Sequence, residues 1–489
     1  MRTALFVCSI IHYYREMMPV ACHFHDRGWR VRVIIGWDGA AAVRAIADCR
    51  AAGLETVELD PAFLIPGADG PVAPPAEPAA AAGPSHSSIP LLRRIAMFAD
   101  SVRKLGRQKR YARGLIGTLA PDIVFTGPYH SPDLLHNAIA VTCRMRRIPY
   151  CNLPASAYVG ERNSVLARFL NRGLGMQSSI IDVDYDRLNR LMSRLFPGWT
   201  RTRDNVSIFM WDPVLILAAR LCGMLKGNIW QKPAESFDVV YVYSEFSRKM
   251  LADSGYDPRK IVISGIPLLD APRRLHGDDD HRTRMWRALG LPSDRGFILF
   301  NVEPSYEHRY ASYEDHWRRF HALMAAMQRT SMPVVLSLHP LCNLKDYAFA
   351  ERQYGVTISR DYRIFDLYPY CRLSVSFPCS TNVVAEEFEK PLVIYDYFGM
   401  TAESGPRKDL FRLPSARYGY TVEDVEREVH AVLSMSPGHA PRQIAGSASA
   451  VILDDVEKRF ALRNVASAID AAGELPDGAS ARPLSRQAR

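Results

Sequence analysis

A histidine and a pair of hydroxyl residues stand directly after two short apolar runs in the C-terminal half of this chain. His339 follows Val334–Leu338, and Ser380 and Thr381 come shortly after residues 373–377. Both types of side chain donate hydrogen bonds to phosphate oxygens. A helix beginning just after the hydroxyl pair would add free backbone N–H groups and the positive end of its dipole. These residues therefore predict a phosphate-binding site.

Two carboxylates follow roughly two turns into the helix predicted over residues 383–388. Glu386 and Glu387 stand where a carboxylate can accept hydrogen bonds from sugar hydroxyls. An ordinary alternative stays open, because Ser, Thr and Asn before a helix are common N-caps. A His-Pro pair after a strand is also a weak indicator by itself. The phosphate-binding interpretation depends on the two features occurring together, at the ends of successive strands.

Three short apolar runs position these side chains. Residues 334–338, 373–377 and 392–395 are largely aliphatic or β-branched and stop abruptly, which is typical of strands buried on both faces of a parallel sheet. Helical patterns lie between them, so the predicted unit is β-α-β-α-β. Ligands of open α/β sheets bind beyond the carboxyl ends of the strands, where the histidine and the hydroxyl pair are expected.

The pattern strand-His-Pro, strand-Pro-x-Ser-Thr-x4-Glu-Glu and Lys-Pro-strand resembles the C-terminal half of GT-B glycosyltransferases. The resemblance is to the branch that holds CDP-glycerol glycerophosphotransferases, bacterial sialyl- and Kdo-type capsule transferases and the related UDP-N-acetylglucosamine 2-epimerases. It implies that His339, Ser380 and Thr381 contact the donor's phosphates. It also implies that Glu387 holds the nucleotide ribose, with Glu386 as the neighbouring alternative. The epimerases carry glycines beside their serine, whereas Thr-Asn follows here, which favours a transferase.

A second resemblance to GT-B proteins covers residues 237–270, which are similar to the crossover between the two GT-B domains. A strand, a helix and a second short strand are followed by a Gly-x-Pro-x-x-Asp turn, and the matching residues are Ser244, Glu245, Gly255, Gly265, Pro267 and Asp270. The next predicted strand, over 297–302, ends in a loop that holds His308 and Arg309. By the same resemblance, these two residues would contact the diphosphate or the sugar.

The N-terminal half predicts a sheet of its own. Residues 3–35 have the pattern strand, helix, glycine, strand, which resembles the start of many GT-B N-terminal domains. Inverting members of that group often place a general base on this side of the cleft. His12, after the first strand, and His130, after a strand over 122–126, are therefore the candidate general bases. The alternative for each is a loop histidine without a catalytic role.

The predicted fold class is α/β, a GT-B arrangement of two Rossmann-like domains facing across a cleft with a helical insertion in the first. Donor binding belongs to the second domain and acceptor binding to the first. In chain order, the predicted segments are an acceptor domain over 1–270 with a flexible loop at 66–90 and the insertion at about 157–235, an exposed linker over 271–295, a nucleotide-donor domain over 296–455, a crossover helix at 456–472 and a disordered tail at 473–489.

Two segments of the first domain could contact an anionic surface. Residues 91–119 form a helix rich in arginine and lysine, a pattern that is more often a solvated face than a membrane anchor. The insertion contains two apolar stretches near basic residues and near Trp199, Trp211 and Trp230. It is either a buried packing element or an interfacial one with these tryptophans at a membrane surface.

The composition limits the classes of function. With 48% hydrophobic and 23% charged residues, the chain is an ordinary globular protein. Its formal charge of +9 suits an anionic ligand or an anionic membrane surface. Nucleic acid is not an expected partner, because the sequence contains no zinc-binding or RNA-binding motif. The nine cysteines include no CxxC pair, which is typical of reduced cytosolic thiols. The apolar N-terminus predicts a buried strand instead of a signal peptide. The sequence contains no uninterrupted run of about 20 apolar residues, so no membrane span is expected.

These observations predict a glycosyltransferase that moves a sugar, or a polyol phosphate, from a nucleotide-activated donor to a glycan or lipid-linked acceptor in bacterial surface polysaccharide synthesis. We expect no metal and no cofactor, with the nucleotide-sugar as substrate, because no Asp-x-Asp motif stands at a strand end. The expected location is cytoplasmic, free or peripheral at the inner membrane. Two alternatives stay open, a UDP-N-acetylhexosamine 2-epimerase-like isomerase and a non-catalytic GT-B-like glycan-binding protein.

Overall fold

The computed structural model describes most of the chain. The described residues are 1–9, 11–64, 91–127, 135–154, 160–173, 181–230, 237–292, 296–307, 311–339, 341–402, 412–413, 415–435 and 446–473. Inside these ranges the side chains at 11, 12, 162, 163, 167, 170–173 and 462–473 are not described. The predicted flexible loop at 66–90 and the tail after residue 473 lie outside the described residues.

The strands are short, with two to six residues each. In the described residues they are β1 Thr3–Cys8, β2 Arg30–Ile35, β3 Glu55–Val57, β4 Ile123–Thr126, β5 Tyr150–Asn152, β6 Thr200–Arg203, β7 Val206–Phe209, β8 Val239–Val242, β9 Ile261–Ile263, β10 Ile298–Val302, β11 Val334–Leu338, β12 Thr357–Ile358, β13 Leu373–Ser376, β14 Leu392–Tyr395 and β15 Arg417–Gly419.

The helices begin in several cases at a capping side chain, as Asp186, Asp212 and Ser312 do by accepting a backbone N–H of the first turn. In the described residues they are α1 Ile11–Asp26, α2 Ala40–Ala51, α3 Leu91–Leu119, α4 Leu135–Arg146, α5 Gly160–Gly173, α6 Arg187–Leu195, α7 Pro213–Leu221, α8 Glu245–Asp253, α9 Asp270–Leu275, α10 Asp279–Ala288, α11 Tyr313–Gln328, α12 Leu344–Tyr347, α13 Phe349–Tyr354, α14 Ile364–Leu367, α15 Asn382–Glu387, α16 Val422–Ser434 and α17 Ala448–Gly473. Single 3-10 turns occur at Pro61–Phe63, Val183–Tyr185, Pro197–Trp199, Pro258–Lys260, Pro267–Leu269 and Tyr368–Tyr370.

The first domain is built on a seven-stranded parallel sheet of order β3-β2-β1-β4-β5-β8-β9. Alternate residues of β1 enter different cores, because side chains alternate between the faces of a strand. Leu5 and Val7 belong to the core that includes α3 and α4. Ala4 and Phe6 belong to the core that includes α1, α2 and the start of α17. Burial on both faces explains the continuous apolar runs.

The second domain is built on a six-stranded sheet of order β12-β11-β10-β13-β14-β15, also parallel throughout. In each sheet the first strand along the chain lies inside the sheet, and the strand order reverses beside it. The reversal falls between β1 and β4 in the first sheet and between β10 and β13 in the second. These are topological switch points, where doubly wound sheets bind their ligands.

The insertion differs from the predicted helical unit, because β6 and β7 form an antiparallel hairpin within it. The apolar stretch at its centre is core, since Ile208 and Phe209 are fully buried. Two of the three tryptophans considered for an interface are buried as well, Trp199 at 6% and Trp230 at 0% exposure. At these two positions the structure agrees with the packing alternative and not with the interfacial one, because both rings pack in the core shared with α3 and α4.

The segment expected to be an exposed linker instead contains α9 and α10. Met285 and Trp286 are buried in the core of the second domain, so the acidic run before them is a helix start. At the far end of the chain, α17 begins at Ala448 and returns to the first domain. Its Ile452 and Val456 are buried against α1 and the first sheet.

The carboxylate of Asp270, the first residue of α9, caps the start of α17. Asp270 accepts hydrogen bonds from the backbone N–H groups of Ala448 (2.8 Å) and Ser449 (3.0 Å) and from the Ser447 hydroxyl (2.9 Å). We expect Asp270→Ala to lower the free energy of unfolding by about 1–2 kcal/mol, the range of a lost N-cap. Urea denaturation with Asp253→Ala as an exposed control would measure this. Equal stability of the two variants would contradict the capping role.

Candidate functional site

The predicted phosphate-binding residues lie on one edge of the second sheet. β11, β10 and β13 are parallel neighbours, so the residues that follow them leave the sheet on the same side. His339 follows β11 directly, and Ser380 and Thr381 come four and five residues after β13. β11 and β13 are two strand spacings apart, about 10 Å. A diphosphate lying across the end of β10 could therefore be reached from both sides.

Asn301 of β10 is a residue of this edge that sequence reasoning missed. Its side-chain amide lies 3.2 Å from the Thr381 hydroxyl, 3.3 Å from the Ser376 hydroxyl and 3.5 Å from the Cys379 sulfur. The amide thus ties β10 to the loop after β13 at the switch point. The sequence feature that could have indicated Asn301 is its place as the only polar residue in the apolar run ILFNV. A polar side chain in a buried strand needs a hydrogen-bond partner.

The loop after β13 is held by its own side chains. The Asn382 amide donates to the Phe377 carbonyl (2.7 Å), and the Cys379 sulfur lies 3.0 Å from the Thr381 hydroxyl. Burial raises the pKa of the Cys379 thiol, so it stays protonated at neutral pH. Thr381 is the N-cap residue of α15 by position, but its side chain makes no capping hydrogen bond in the described structure. The Thr381 hydroxyl therefore does not act as an ordinary helix cap.

His339 has a defined tautomer. The backbone N–H of Leu341 donates to its Nδ1 at 3.2 Å, so the proton of the neutral ring is on Nε2. The His339 carbonyl accepts from the N–H of Cys342 (2.8 Å), which closes a tight turn behind the ring. The ring therefore presents an N–H donor, as a phosphate contact requires.

The two predicted ribose-binding carboxylates have different partners. Glu387 forms a salt bridge with Arg273 of α9 at 2.6 Å, and burial raises the pKa of its carboxyl while Arg273 opposes that rise. Glu386 accepts a hydrogen bond from the Ser415 hydroxyl at 2.5 Å, in the segment leading to β15. Glu387 is therefore paired with a cation of α9, whereas the partner of Glu386 is a neutral hydroxyl.

A buried polar chain supports the loop after β10. The Ser305 hydroxyl lies 2.7 Å from His316 Nδ1, and His316 Nε2 lies 2.8 Å from the Tyr347 hydroxyl. Burial lowers the pKa of His316 to about 4, so the ring is neutral and bridges the two hydroxyls. This loop leads to His308 and Arg309, which lie outside the described residues, so their predicted phosphate contacts stay predictions.

A buried carboxyl stands at the carboxyl edge of the first sheet. Glu16 lies in the second turn of α1, is 9% exposed, and accepts a hydrogen bond from the Tyr243 hydroxyl (2.9 Å), which follows β8. Its second oxygen, Oε2, has no hydrogen-bond partner among the described residues. Burial raises the pKa of Glu16 to about 8, although Tyr243 and Arg363 of the second domain lower it. Glu16 is therefore a buried carboxyl beside Tyr243 whose pKa is raised toward neutral pH by burial.

The other candidate bases of the first domain are less defined. His12 is the second residue of α1 and its side chain is outside the description, while His130 lies in the undescribed 128–134 segment. The buried His136 of α4 does have a described partner, because its Nδ1 lies 3.0 Å from the Ser9 hydroxyl. Ser9 follows β1, so this pair sits at the first switch point.

The described part of the chain has no metal-binding cluster and no membrane-spanning helix. No group of three or more His, Cys, Asp or Glu side chains is arranged there to hold a metal ion. None of the helices found there has both the length and the apolar character needed to cross a bilayer.

The sequence matches no protein-family model and no curated protein. Solved structures do match. One is UDP-GlcNAc 2-epimerase from Methanocaldococcus jannaschii, at 9% identity and a TM-score of 0.50, covering 94% of this chain and 100% of that one. Another is the calicheamicin glycosyltransferase CalG4, at 14% identity and a TM-score of 0.50, covering 94% of this chain and 98% of that one. Together with the two parallel sheets, they confirm the predicted GT-B fold.

Proposed function

We propose that this chain is a GT-B glycosyltransferase that transfers a sugar, or a polyol phosphate, from a nucleotide-activated donor. The observation that carries the proposal is the switch point of the second sheet. An Nε2–H donor at the end of β11 and hydroxyls after β13 face the same edge. Donors converging on one edge of a parallel sheet suit the diphosphate of a nucleotide-sugar.

In this proposal the second domain stabilises the leaving group. Sugar transfer would break the bond between the anomeric carbon and the donor phosphate, so negative charge would grow on the departing nucleotide. Polyol-phosphate transfer would instead break the pyrophosphate bond, and the charge would grow on the departing nucleoside monophosphate. His339 and Thr381 would donate hydrogen bonds to that charge, with Ser380 beside them. Glu386 or Glu387 would hold the ribose; Glu386 is bound only by the Ser415 hydroxyl, whereas Glu387 is in a salt bridge with Arg273.

In the same proposal Glu16 is the general base. A base must take the proton of the acceptor hydroxyl as the oxygen attacks the anomeric carbon. The Oε2 atom of Glu16 is buried without a protein partner in the described residues, so the acceptor hydroxyl would have to displace neighbouring side chains to reach it. The pKa of about 8 makes the carboxylate a stronger base than an exposed glutamate. His12 and His130 remain alternative bases.

The acceptor and its setting are proposed more broadly. A glycan or lipid-linked acceptor in bacterial surface polysaccharide synthesis agrees with the resemblance to the capsule-transferase and glycerophosphotransferase branch. A cytoplasmic enzyme peripheral at the inner membrane would meet such an acceptor. The formal charge of +9 is compatible with this setting.

A second candidate function is a nucleotide-sugar 2-epimerase. It is favoured by the raised pKa of Glu16, because a carboxyl protonated near neutral pH could also act as an acid on a sugar carbon. One GT-B match is a UDP-GlcNAc 2-epimerase. A UDP-sugar product inverted at C2, formed without any acceptor, would establish the epimerase and exclude the transferase.

We expect one nucleotide among UDP, CMP, CDP, GDP and dTDP to raise the melting temperature of the protein. A ligand at a hundredfold excess over its Kd stabilises the folded state by about 2.7 kcal/mol. In His339→Ala, the loss of a hydrogen bond to a charged group should weaken that ligand about 10- to 100-fold. Differential scanning fluorimetry and calorimetric titration measure the two effects.

His430→Ala is the matched control. His430 lies on α16 of the same domain with its side chain 49% exposed, so its loss should leave nucleotide affinity unchanged. If no nucleotide stabilises the wild-type protein, or if both alanine variants bind it equally, the donor site is disproved. A non-catalytic glycan-binding protein would then be the better interpretation.

A further inference from the structure

A cavity in the insertion has no role in the site described above. Its volume is about 520 Å³, within the range of ligand-binding pockets. Apolar walls come from Phe196, Trp199 and Ile229, and two arginines, Arg201 and Arg220, also line it. The Phe196 and Trp199 rings are stacked, with centroids 4.1 Å apart, so one wall is a rigid aromatic face.

The two arginines of this cavity differ in how their charge is balanced. Arg201 Nε donates to the carboxylate of Glu161 at 2.7 Å. Arg220 has no carboxylate partner among the described residues: its Nη2 donates to the Gly227 carbonyl at 2.5 Å, and its buried Nε has no hydrogen-bond partner there. An unbalanced guanidinium in an apolar cavity favours an anionic group as ligand.

The surface around this cavity exposes large apolar side chains. Leu191 and Leu195 of α6 are 51% and 59% exposed, and Leu221, beside Arg220, is 68% exposed. Phe196 is both at this surface and in the cavity wall, with 36% exposure. A cluster of this kind marks an interaction surface more often than ordinary solvent-exposed protein.

Arginines share the exposed side of α6 with these leucines. At about 100° per residue, Arg187, Arg190 and Arg194 fall next to Leu191 and Leu195, and all three arginines are exposed. The opposite side holds Met192 and Asn189, which are buried. A short helix with leucines flanked only by cations has the pattern of an interfacial helix on an anionic membrane.

The start of α3 extends the apolar surface. Arg94 of α3 forms a salt bridge at 2.7 Å with Asp186, the N-cap of α6, so the two helix starts are adjacent. Leu91, Leu92 and Ile95 are 66%, 81% and 54% exposed. Exposed apolar side chains therefore occur on both of these neighbouring helices.

We propose that this face of the insertion docks on an anionic lipid bilayer and that the cavity holds one lipid phosphate beside Arg220. The arginines of α6 would pair with headgroups while the leucines and Phe196 enter the acyl boundary. Leucines beside arginines that form no salt bridge among the described residues complement a bilayer, which supplies both apolar chains and negative charge. The inference extends the proposed function, since a membrane-bound enzyme would meet a lipid-linked acceptor at such a surface.

Vesicle co-sedimentation of the full chain, without nucleotide, tests the proposal separately from the donor site. We expect strong binding to vesicles of phosphatidylcholine and phosphatidylglycerol in equal amounts and little binding to phosphatidylcholine alone. Leu195→Glu should weaken binding to the anionic vesicles about tenfold or more. Arg220→Gln should weaken it about fivefold, the effect of one basic residue at an anionic surface.

Two controls match these changes elsewhere on the surface. Val43→Glu on α2, at 67% exposure, and Arg259→Gln, with its side chain 89% exposed, should bind vesicles like the wild type. Equal binding of the wild type to both vesicle types would overturn the proposal, and so would wild-type affinity in Leu195→Glu. A dimer that Leu195→Glu dissociates, without vesicle binding, would assign the face to self-association instead.

Discussion

Replacement of Glu16 by Gln is expected to lower kcat for sugar transfer by about 10²- to 10⁴-fold, the usual contribution of a general base. The amide is nearly isosteric and can still accept the hydrogen bond from Tyr243 (2.9 Å), so the local packing is kept. Only the ability to take a proton is lost. The measurement is steady-state kinetics with the nucleotide-sugar that the thermal-shift screen identifies, and KM should change little.

The pH dependence gives a sharper test of the same role. A general base acts when deprotonated, so wild-type activity should rise with pH until it levels off above the Glu16 pKa of about 8. Tyr243→Phe removes a hydrogen bond that lowers this pKa, so its activity should level off at a higher pH. In Glu16→Gln, the rise of activity with pH up to about pH 8 should be absent.

The free energy of unfolding should fall with rising pH, whereas the activity should rise. The pKa of Glu16 is raised in the folded protein from 4.5 to about 8, so the unfolded chain releases this proton at a lower pH than the folded chain does. The free energy of unfolding therefore falls as pH rises through this window, by roughly 3 kcal/mol at pH 7. Glu16→Gln removes that penalty and should be about 1–3 kcal/mol more stable than the wild type at pH 7.

The exposed Glu457 provides the control, because Glu457→Gln should alter neither activity nor stability. A Glu16→Gln enzyme that keeps wild-type kcat and pH profile would exclude Glu16 as the base. A large loss of both activity and stability would instead mean that Glu16 only supports the fold.

The central strands of the second domain could be predicted from the sequence, because they are buried on both faces and therefore stand out as apolar runs. β11 and β14 have the bounds that their apolar runs predict, and β13 ends one residue earlier. His339 and Thr381 could be predicted as neighbours on one sheet edge, since parallel strands leave the sheet on the same side. Their contacts could not be predicted, because Asn301 and Cys379 reach Thr381 through side-chain geometry.

The first domain was harder to predict for a physical reason. Glu16 lies in a helix beside ordinary polar residues, and only tertiary packing, which brings Tyr243 after β8 against it, buries it. The tryptophans of the insertion have the composition of an interface, yet two of them are core. Amphipathic patterns record that a face is apolar, whereas the partner that covers it depends on tertiary structure.

Arg94 is the clearest case of a residue whose burial no local pattern indicates. It stands among the many basic residues of α3, but its side chain is 2% exposed and forms a salt bridge with Asp186 at 2.7 Å. It also lies 3.4 Å from Asp212. The two carboxylates cap α6 and α7, so one guanidinium holds two helix starts of the insertion on α3.

Arg94→Ala is therefore expected to lower the free energy of unfolding by about 3–5 kcal/mol, because it leaves two buried carboxylates unpaired. Burial and the charge of Asp186 already raise the pKa of Asp212. Without Arg94 the carboxylates should bind protons more readily in the folded state, so the loss should be smaller at pH 5 than at pH 8. Urea denaturation at both pH values measures this.

Arg103→Ala on the same helix is the matched control. Its side chain is 75% exposed and lies 3.8 Å from Asp100, so the variant should lose less than about 0.5 kcal/mol. Combining Arg94→Met with Asp186→Asn and Asp212→Asn should recover much of the stability, because asparagine still caps a helix and no buried charge remains. Failure of that recovery would show that Arg94 acts through packing, and its stabilising role as a counter-charge would be disproved.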